Sequence, residues 1–284
     1  MSDKKVYTTL GLMSGTSADG VDAALLETDG ADYIKPLAFL SVPYDEILRT
    51  LIKAAFGLEA VNTDTQKLAD DITQAHIEIS KALIAETGIT PDIIGFHGQT
   101  IDHAPDIPTK NTTQIGNAQL LATECGIAVI ADVRRADIAV GGQGAPLAPA
   151  LHAELLHDKD HDCAVVNIGG IANLSLLPAD QSQPVLGFDT GPGNCLMDEW
   201  AHTHLDKAYD QDGRLASSGI VQQRLLLGWL SDEYFLKPIP KSTGRDAFNS
   251  NWLEKTLQGE NSSPGDVQAS LAELTAVSIA NDVK

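Results

Sequence analysis

A strand, a tight glycine turn and a second strand occur twice in this sequence, at residues 10–27 (LGLMSGTSADGVDAALLE) and again at residues 163–177 (CAVVNIGGIANLSLL). The two copies stand some 150 residues apart, each at the head of a half, which predicts a duplicated α/β fold with a ligand's phosphates held by the two turns. The first turn packs Ser14, Gly15, Thr16, Ser17, Ala18, Asp19, Gly20, Val21 and Asp22 together. Such a turn concentrates backbone N–H groups and short hydroxyls, and its glycines let the main chain approach a phosphate closely. Asp19 and Asp22 add two carboxylates that suit Mg²⁺, which takes oxygen ligands and keeps several waters. The second turn offers Asn167, Gly169 and Gly170. Neither turn is a P-loop, because each runs into a strand and lacks the Gly-Lys-Ser/Thr ending. The first stretch by itself is equally well a plain β-hairpin, glycine turns being the common hairpin signal.

Between the two turns the sequence reads mostly as scaffold. Residues 44–57 and 64–88 carry helical patterns, the second with Leu68, Ile72, Ile79, Leu83 and Ile84 near helical spacing and Gly88 as a stop. Residues 92–96 form a short apolar strand that delivers His97, Gln99 and Thr100 to its C-terminal end, where α/β sheets place ligand groups. His97 is either a hydrogen-bonded structural histidine or part of a polar site. Residues 114–125 read as a loop and a helix, and residues 127–133 as a buried strand ending in Arg134 and Arg135. Two adjacent arginines in so acidic a chain are either anion ligands, the guanidinium fork matching carboxylate or phosphate, or partners in a surface ion pair. A glycine loop, 141–146, leads to a helix at 149–156 and then to the charged run 157–162, which has the composition of a domain boundary. The halves are accordingly placed at 1–160 and 161–284.

Residues 185–200, VLGFDTGPGNCLMDEW, predict a strand ending at Asp189, a glycine turn, and a helix beginning near Cys195. The carboxylate then lies beside a helix N-terminus, where free N–H groups favour anions. Asp189 has two possible roles there, capping the helix or facing a ligand as a general base. Residues 209–219 read as a polar loop, followed by a helix with Val221, Leu225 and Leu226 on its apolar face. Lys241, Ser242, Thr243, Gly244, Arg245 and Asp246 form a short basic-hydroxyl loop, which is either a connection or a phosphate or substrate contact. Ser263, Pro264 and Asp266 open a last helix.

Charge narrows the partners. With 19 basic against 39 acidic residues the formal charge is −20, which argues against nucleic acid. The three cysteines have no metal-ligand spacing and suit a reducing compartment. There is no apolar run of signal-peptide or membrane-span length, so the expectation is a cytoplasmic protein with no membrane partner.

Seven stretches together, MSGTSADGVD (13–22), GFHGQT (95–100), QIGNAQLLA (114–122), ADVRRADIAVGGQGAP (131–146), NIGGIANLS (167–175), FDTGPGN (188–194) and KSTGRDAFN (241–249), closely resemble the anhydro-N-acetylmuramic acid kinase family in the same order. The resemblance implies the fold shared by actin, sugar kinases and the heat-shock-70 chaperones, two domains around a cleft that binds ATP and Mg²⁺. It implies a homodimer. It also implies a coupled reaction in which water opens the 1,6-anhydro bridge of a muramic-acid sugar and the freed O6 takes the γ-phosphoryl group of ATP. By motif, Asp189 is the base that activates the water and residues 15–22 are the ATP segment; Asp19 and Asp22 are the expected metal carboxylates from the chemistry of the turn, in part through water. His97, Gln99 and Thr100, with Arg134 or Arg135, are the expected sugar contacts. Members of the family continue into a further glycine-rich stretch that cradles adenosine. Only 115 residues follow Gly169, so the second half is expected to be incomplete and the chain as given to bind ATP poorly. The competing expectations are an ordinary sugar kinase, with Asp189 deprotonating the hydroxyl directly, and a non-catalytic sugar-binding remnant.

Overall fold

Alternating burial along the opening stretch decides which way its strands face. Leu10 and Leu12 of β1 (Tyr7–Met13) and Val21, Ala23 and Leu25 of β2 (Gly20–Thr28) are buried, while Asp22 projects to the exposed side. In the computed structural model, which describes residues 5–15, 17–31, 33–58, 63–104, 111–245 and 247–283, these strands form the expected hairpin. Thr16 and Asp246 lie outside the described residues. The chain divides into two compact units, Met1–Ala145 and Pro146–Lys284.

In the first unit a third strand, β3 (Ile34–Pro43), joins the hairpin, a strand not among those expected. Its two prolines and lack of clean alternation hide it, but it is an edge strand, where proline is tolerated. The helices α1 (Glu46–Ala54) and α2 (Thr63–Thr87) follow, with α1 capped by Asp45, which accepts from Leu48 N at 2.8 Å. β4 (Ile93–Phe96) then pairs parallel with β1. Beyond it, residues expected as strand end and loop form a second hairpin, β5 (Gln99–Ala104) and β6 (Asn111–Ile115). The chain enters β5 through Gly98 at φ +69°, where an added Cβ would overlap the Ile115 carbonyl, so only glycine fits.

α3 (Ala118–Cys125), capped by Asn117, leads to β7 (Ala128–Ile130) and α4 (Val133–Ala139). This corrects the expected strand over 127–133: Arg134 and Arg135 are on a helix. Asp132 in the left-handed region (φ 64°) turns the chain out of the strand, and arginine and alanine then favour helix. The sheet order is β3-β2-β1-β4-β7, with Ile72, Ile79 and Leu83 of α2 and Leu121 of α3 in the same core as the strand residues.

The second unit begins with α5 (Ala148–Leu156), followed by the meander β8 (Cys163–Ile168), β9 (Ile171–Leu177) and β10 (Leu186–Pro192), in the order β10-β9-β8. The first three strands of each unit are thus joined as successive antiparallel pairs. The expected boundary at residue 160 is displaced. His152 Nδ1 lies 2.8 Å from Ser175 Oγ and Pro149 packs on Gly187, so α5 belongs to this unit and the charged run 157–162 is an internal connection.

After β10 come α6 (Cys195–Leu205), α7 (Arg214–Ser217), α8 (Gln223–Leu230), α9 (Glu233–Leu236), α10 (Ser250–Thr256) and α11 (Pro264–Asp282). The short α7 lies within the expected loop 209–219. α11 opens on a Ser263/Asp266 capping box with Pro264 at its start. Trp229, Phe248, Leu253, Val267, Leu271 and Leu274 make the core of this unit. Its cysteines, like Cys125 of the first unit, are free thiols. Among the described residues no helix is long and apolar enough to cross a membrane.

Candidate functional site

The first glycine turn is locked by side chains. Ser14 is 2% exposed and its Oγ donates to Gln99 Oε1 at 2.5 Å while accepting from the Tyr44 hydroxyl at 2.8 Å. Gln99, wholly buried, donates through Nε2 to the carbonyls of Gly15 and Thr100, each at 3.1 Å. Burial pushes the Tyr44 hydroxyl up to about 12, so it stays a donor. Gly15 O also accepts from Ala18 N at 3.1 Å, and Ala18 takes a left-handed conformation (φ 54°) with its side chain buried.

Gln99, expected among the sugar contacts, is placed inside the turn. Gln99 is not presented to solvent; its amide is consumed in holding the turn. Replacing Gln99 with Leu strips a donor from Gly15 O and an acceptor from Ser14, and should destabilise the protein by about 2–4 kcal/mol in urea unfolding. Hydrogen exchange at the Ala18 amide should accelerate as well. An unchanged midpoint would show that the clasp holds nothing.

Val21 is buried beneath the turn, and Ser17 and Gly20 are half-buried on it. Asp19 and Asp22 are both exposed, and Asp19 Oδ1 is met by Arg49 Nη2 at 3.1 Å. Among the described residues no cluster of three or more His, Cys, Asp or Glu is arranged to hold a metal. Two carboxylates on an exposed lip do not make a protein cage. They do suit a hydrated Mg²⁺ that shares its shell with phosphate oxygens, with Arg49 competing for Asp19.

His97 and Arg134 come together in the first unit. The His97 ring sits with Nε2 at 2.9 Å from Met13 Sδ, and Nδ1 is buried without a hydrogen-bond partner from another residue. Burial first, then the Arg134 charge and that of His76, push the His97 imidazole down to about 4, so it is neutral at pH 7. Arg134 is half-buried and its Nη1 donates to Gly144 O at 3.0 Å. Asp137 Oδ2 accepts from Gly144 N at 2.8 Å, so the glycine loop is tied back onto α4. Arg135 is instead exposed and pairs with Asp132 Oδ1 at 2.6 Å. Thr100 is buried and its Oγ1 accepts from Gln114 Nε2 at 3.4 Å.

The second glycine turn is locked by main chain. Gly169 O accepts from Asn194 N at 2.8 Å, and Gly170 O accepts from Gly193 N and Cys195 N at 2.9 and 3.2 Å. These N–H groups, at the start of α6 where an anion is expected, are already used. Gly193 admits this because an added Cβ would overlap the Gly169 carbonyl. Asn167 is exposed on β8. The Arg245 guanidinium lies over Gly170, its Nη2 2.9 Å from where a Cβ would stand, and its Nε is buried without a hydrogen-bond partner among the described residues.

Asp189 does not end β10, as expected, but lies within it, where the register against β9 shifts between Asp189 and Gly191. The N-cap position of α6 is Asn194, so Asp189 is not the cap. Its Oδ2 accepts from Ser242 Oγ and from Thr243 N, both at 3.0 Å. Its main chain is clamped too: Asp189 N donates to Lys241 O at 2.9 Å, and Asp189 O accepts from the Tyr234 hydroxyl at 2.7 Å. Ser242 and Thr243 belong to the basic-hydroxyl loop legible in the sequence; Tyr234 carries no such signal. A half-buried carboxylate gripped on main chain and side chain alike is rigid enough to orient a water or a hydroxyl.

Comparison with known proteins adds an independent finding. The profile of the family described as anhydro-N-acetylmuramic acid kinase matches residues 7–284. The anhydro-N-acetylmuramic acid kinase of Coxiella burnetii is 43% identical over 282 residues, covering 96% of this chain and 73% of its own length. That of Chromohalobacter salexigens is 46% identical over 279 residues, with 96% and 75% covered. Among solved structures, glucokinase from Balamuthia mandrillaris in complex with glucose aligns over 98% of this chain and 76% of its own at 13% identity, with a TM-score of 0.28. That likeness is too slight to carry an argument.

Proposed function

Because the chain belongs to the anhydro-N-acetylmuramic acid kinase family, a family of ATP-dependent sugar kinases, we propose that it acts on anhydro-N-acetylmuramic acid itself, coupling hydrolysis of the 1,6-anhydro bridge to phosphorylation of O6. The observation that carries this reading is the Asp189 carboxylate, fixed by Ser242 and Thr243 in the FDTGPGN segment.

Asp189 takes a proton from water as the oxygen attacks the anomeric carbon, the bond from that carbon to O6 breaks, and O6 leaves as the nucleophile for the γ-phosphorus of ATP. The products are N-acetylmuramate 6-phosphate and ADP. Arg134, half-buried and beside His97, suits the lactyl carboxylate of the sugar, whereas the ion pair of Arg135 with Asp132 directs that residue elsewhere. His97, neutral at pH 7, offers the sugar a hydrogen bond without adding charge. Thr100, in the same GFHGQT segment as His97, is a further proposed sugar contact. The turn at 14–22 serves the phosphates of ATP; Asn167, Gly169 and Gly170 lie on a second glycine turn that opens the same kind of three-stranded antiparallel meander. Mg²⁺, when bound with ATP, neutralises developing phosphate charge; Asp19 and Asp22 would hold it, in part through water.

Turnover in ¹⁸O-water tests the bond changes directly. Mass spectrometry should find one heavy oxygen in the sugar phosphate, at the anomeric hydroxyl and not on the phosphate. An unlabelled product would eliminate water attack, and phosphorylation of plain hexoses at comparable rates would favour an ordinary sugar kinase.

A further inference from the structure

Lys241 is a buried lysine, its side chain 3% exposed, in a loop that otherwise serves Asp189. An ammonium taken out of water needs a charged partner, and a well-packed apolar residue would serve stability as well or better. The partner is Asp282, in the last turn of α11, with its side chain 13% exposed. Lys241 Nζ donates to Asp282 Oδ1 at 3.2 Å, and Oδ2 lies 3.1 Å from the same nitrogen. The carbonyl end of a helix is itself favourable for a cation. The ammonium also stands 5.3 Å from the ring centroid of Tyr234, the residue whose hydroxyl holds the Asp189 carbonyl.

The three successive loop residues therefore divide one task. Lys241 holds the main-chain N–H of Asp189, while Ser242 and Thr243 hold its carboxylate. The side chain of Lys241 ties this loop to α11, across 41 residues of sequence. We propose that Lys241 and Asp282 are positioning residues for Asp189. Neither touches the substrate. Their ion pair sets where the loop stands on α11, and through the loop it sets the direction of the carboxylate. This rests on Asp189 being the base.

The test is steady-state kinetics on the whole chain with the anhydro sugar and ATP, normalised to the folded fraction. Lys241→Met and Asp282→Asn should each lower kcat about 10- to 100-fold, the range for a misplaced catalytic group, with KM for the sugar within about twofold. The apolar double variant Lys241→Met/Asp282→Leu separates positioning from stability. Replacing a buried pair by apolar residues tends to restore stability, so this variant should fold while kcat stays low. In the Lys241→Met background, Ser242→Ala should cost far less than in the wild type, because the bond it removes is already out of place.

Wild-type kcat in the folded double variant overturns the proposal, as does full additivity of Lys241→Met and Ser242→Ala. Asp189→Asn separates the two levels of inference. An active Asp189→Asn enzyme removes the base, whereas an inactive one beside a fully active double variant removes only the role of the ion pair.

Discussion

Asp189→Asn should lower kcat by roughly 10³-fold while leaving sugar affinity within a factor of about two, because the change removes a proton acceptor and little else. The asparagine oxygen can still accept from Ser242 Oγ and Thr243 N, which now hold Oδ2 at 3.0 Å each. The main-chain clamp from Lys241 and Tyr234 does not involve the side chain at all. The variant therefore keeps its geometry and loses basicity. Calorimetric titration with the sugar and single-turnover kinetics with ATP would measure the two quantities separately. A rate within tenfold of the wild type would show that Asp189 is not the base. A large fall in sugar affinity with little change in kcat would make it a binding residue instead.

Acid should weaken the fold well before the carboxylates titrate. His76 lies on α2, fully buried, with its ring edge against Phe96 at 5.0 Å between centroids and Nδ1 2.8 Å from the Ile72 carbonyl. That contact makes Nδ1 the donor, leaving Nε2 buried without a hydrogen-bond partner among the described residues. Burial pushes the imidazole down to about 4 from 6.5, against the weaker effect of the Ile72 carbonyl. The unfolded chain thus binds a proton more readily than the folded one between pH 6.5 and about 4. The stability that His76 contributes is complete above 6.5, falls as the pH drops through that window, and changes no further below it.

The full span is worth on the order of 3 kcal/mol, of which about 2 kcal/mol is lost by pH 5. His97 shifts in the same direction and steepens the slope. Urea midpoints at pH 7.5 and 5 measure it, and His76→Gln should flatten the dependence. A midpoint indifferent to pH across this interval, or a variant with the wild-type slope, would contradict the account.

Local patterns made much of the architecture readable. Helical spacing located α1, α2 and α11, and the Ser263-Pro264 start with Asp266 is written in consecutive residues. Both glycine hairpins were legible for the same reason. Asp189 stood out because of its neighbours in sequence, though its strand runs three residues further than expected. What escaped was chemistry between distant residues. Gln99 reads as a ligand group in GFHGQT, but Ser14, 85 positions away, claims it. The pairing of Lys241 with Asp282 has no local trace, because neither a loop lysine nor a terminal aspartate announces burial. Arg134 and Arg135 look equivalent on paper, and only the turn at Asp132 into α4 makes one half-buried and the other exposed.

The two glycine turns also differ in how they should tolerate random substitution. Closure of the first depends on Ser14, Tyr44 and Gln99, so its weak points are scattered over three separate stretches, and any of the three can be lost independently. Closure of the second depends on the carbonyls of Gly169 and Gly170, which every residue type supplies, and its sensitivity concentrates on glycines, above all Gly193, where a Cβ would overlap the Gly169 carbonyl, and secondarily Gly170, where it would meet the Arg245 guanidinium. A saturation library scored for folded protein should therefore record a dispersed signature for one turn and, for the other, a signature confined to its glycine codons.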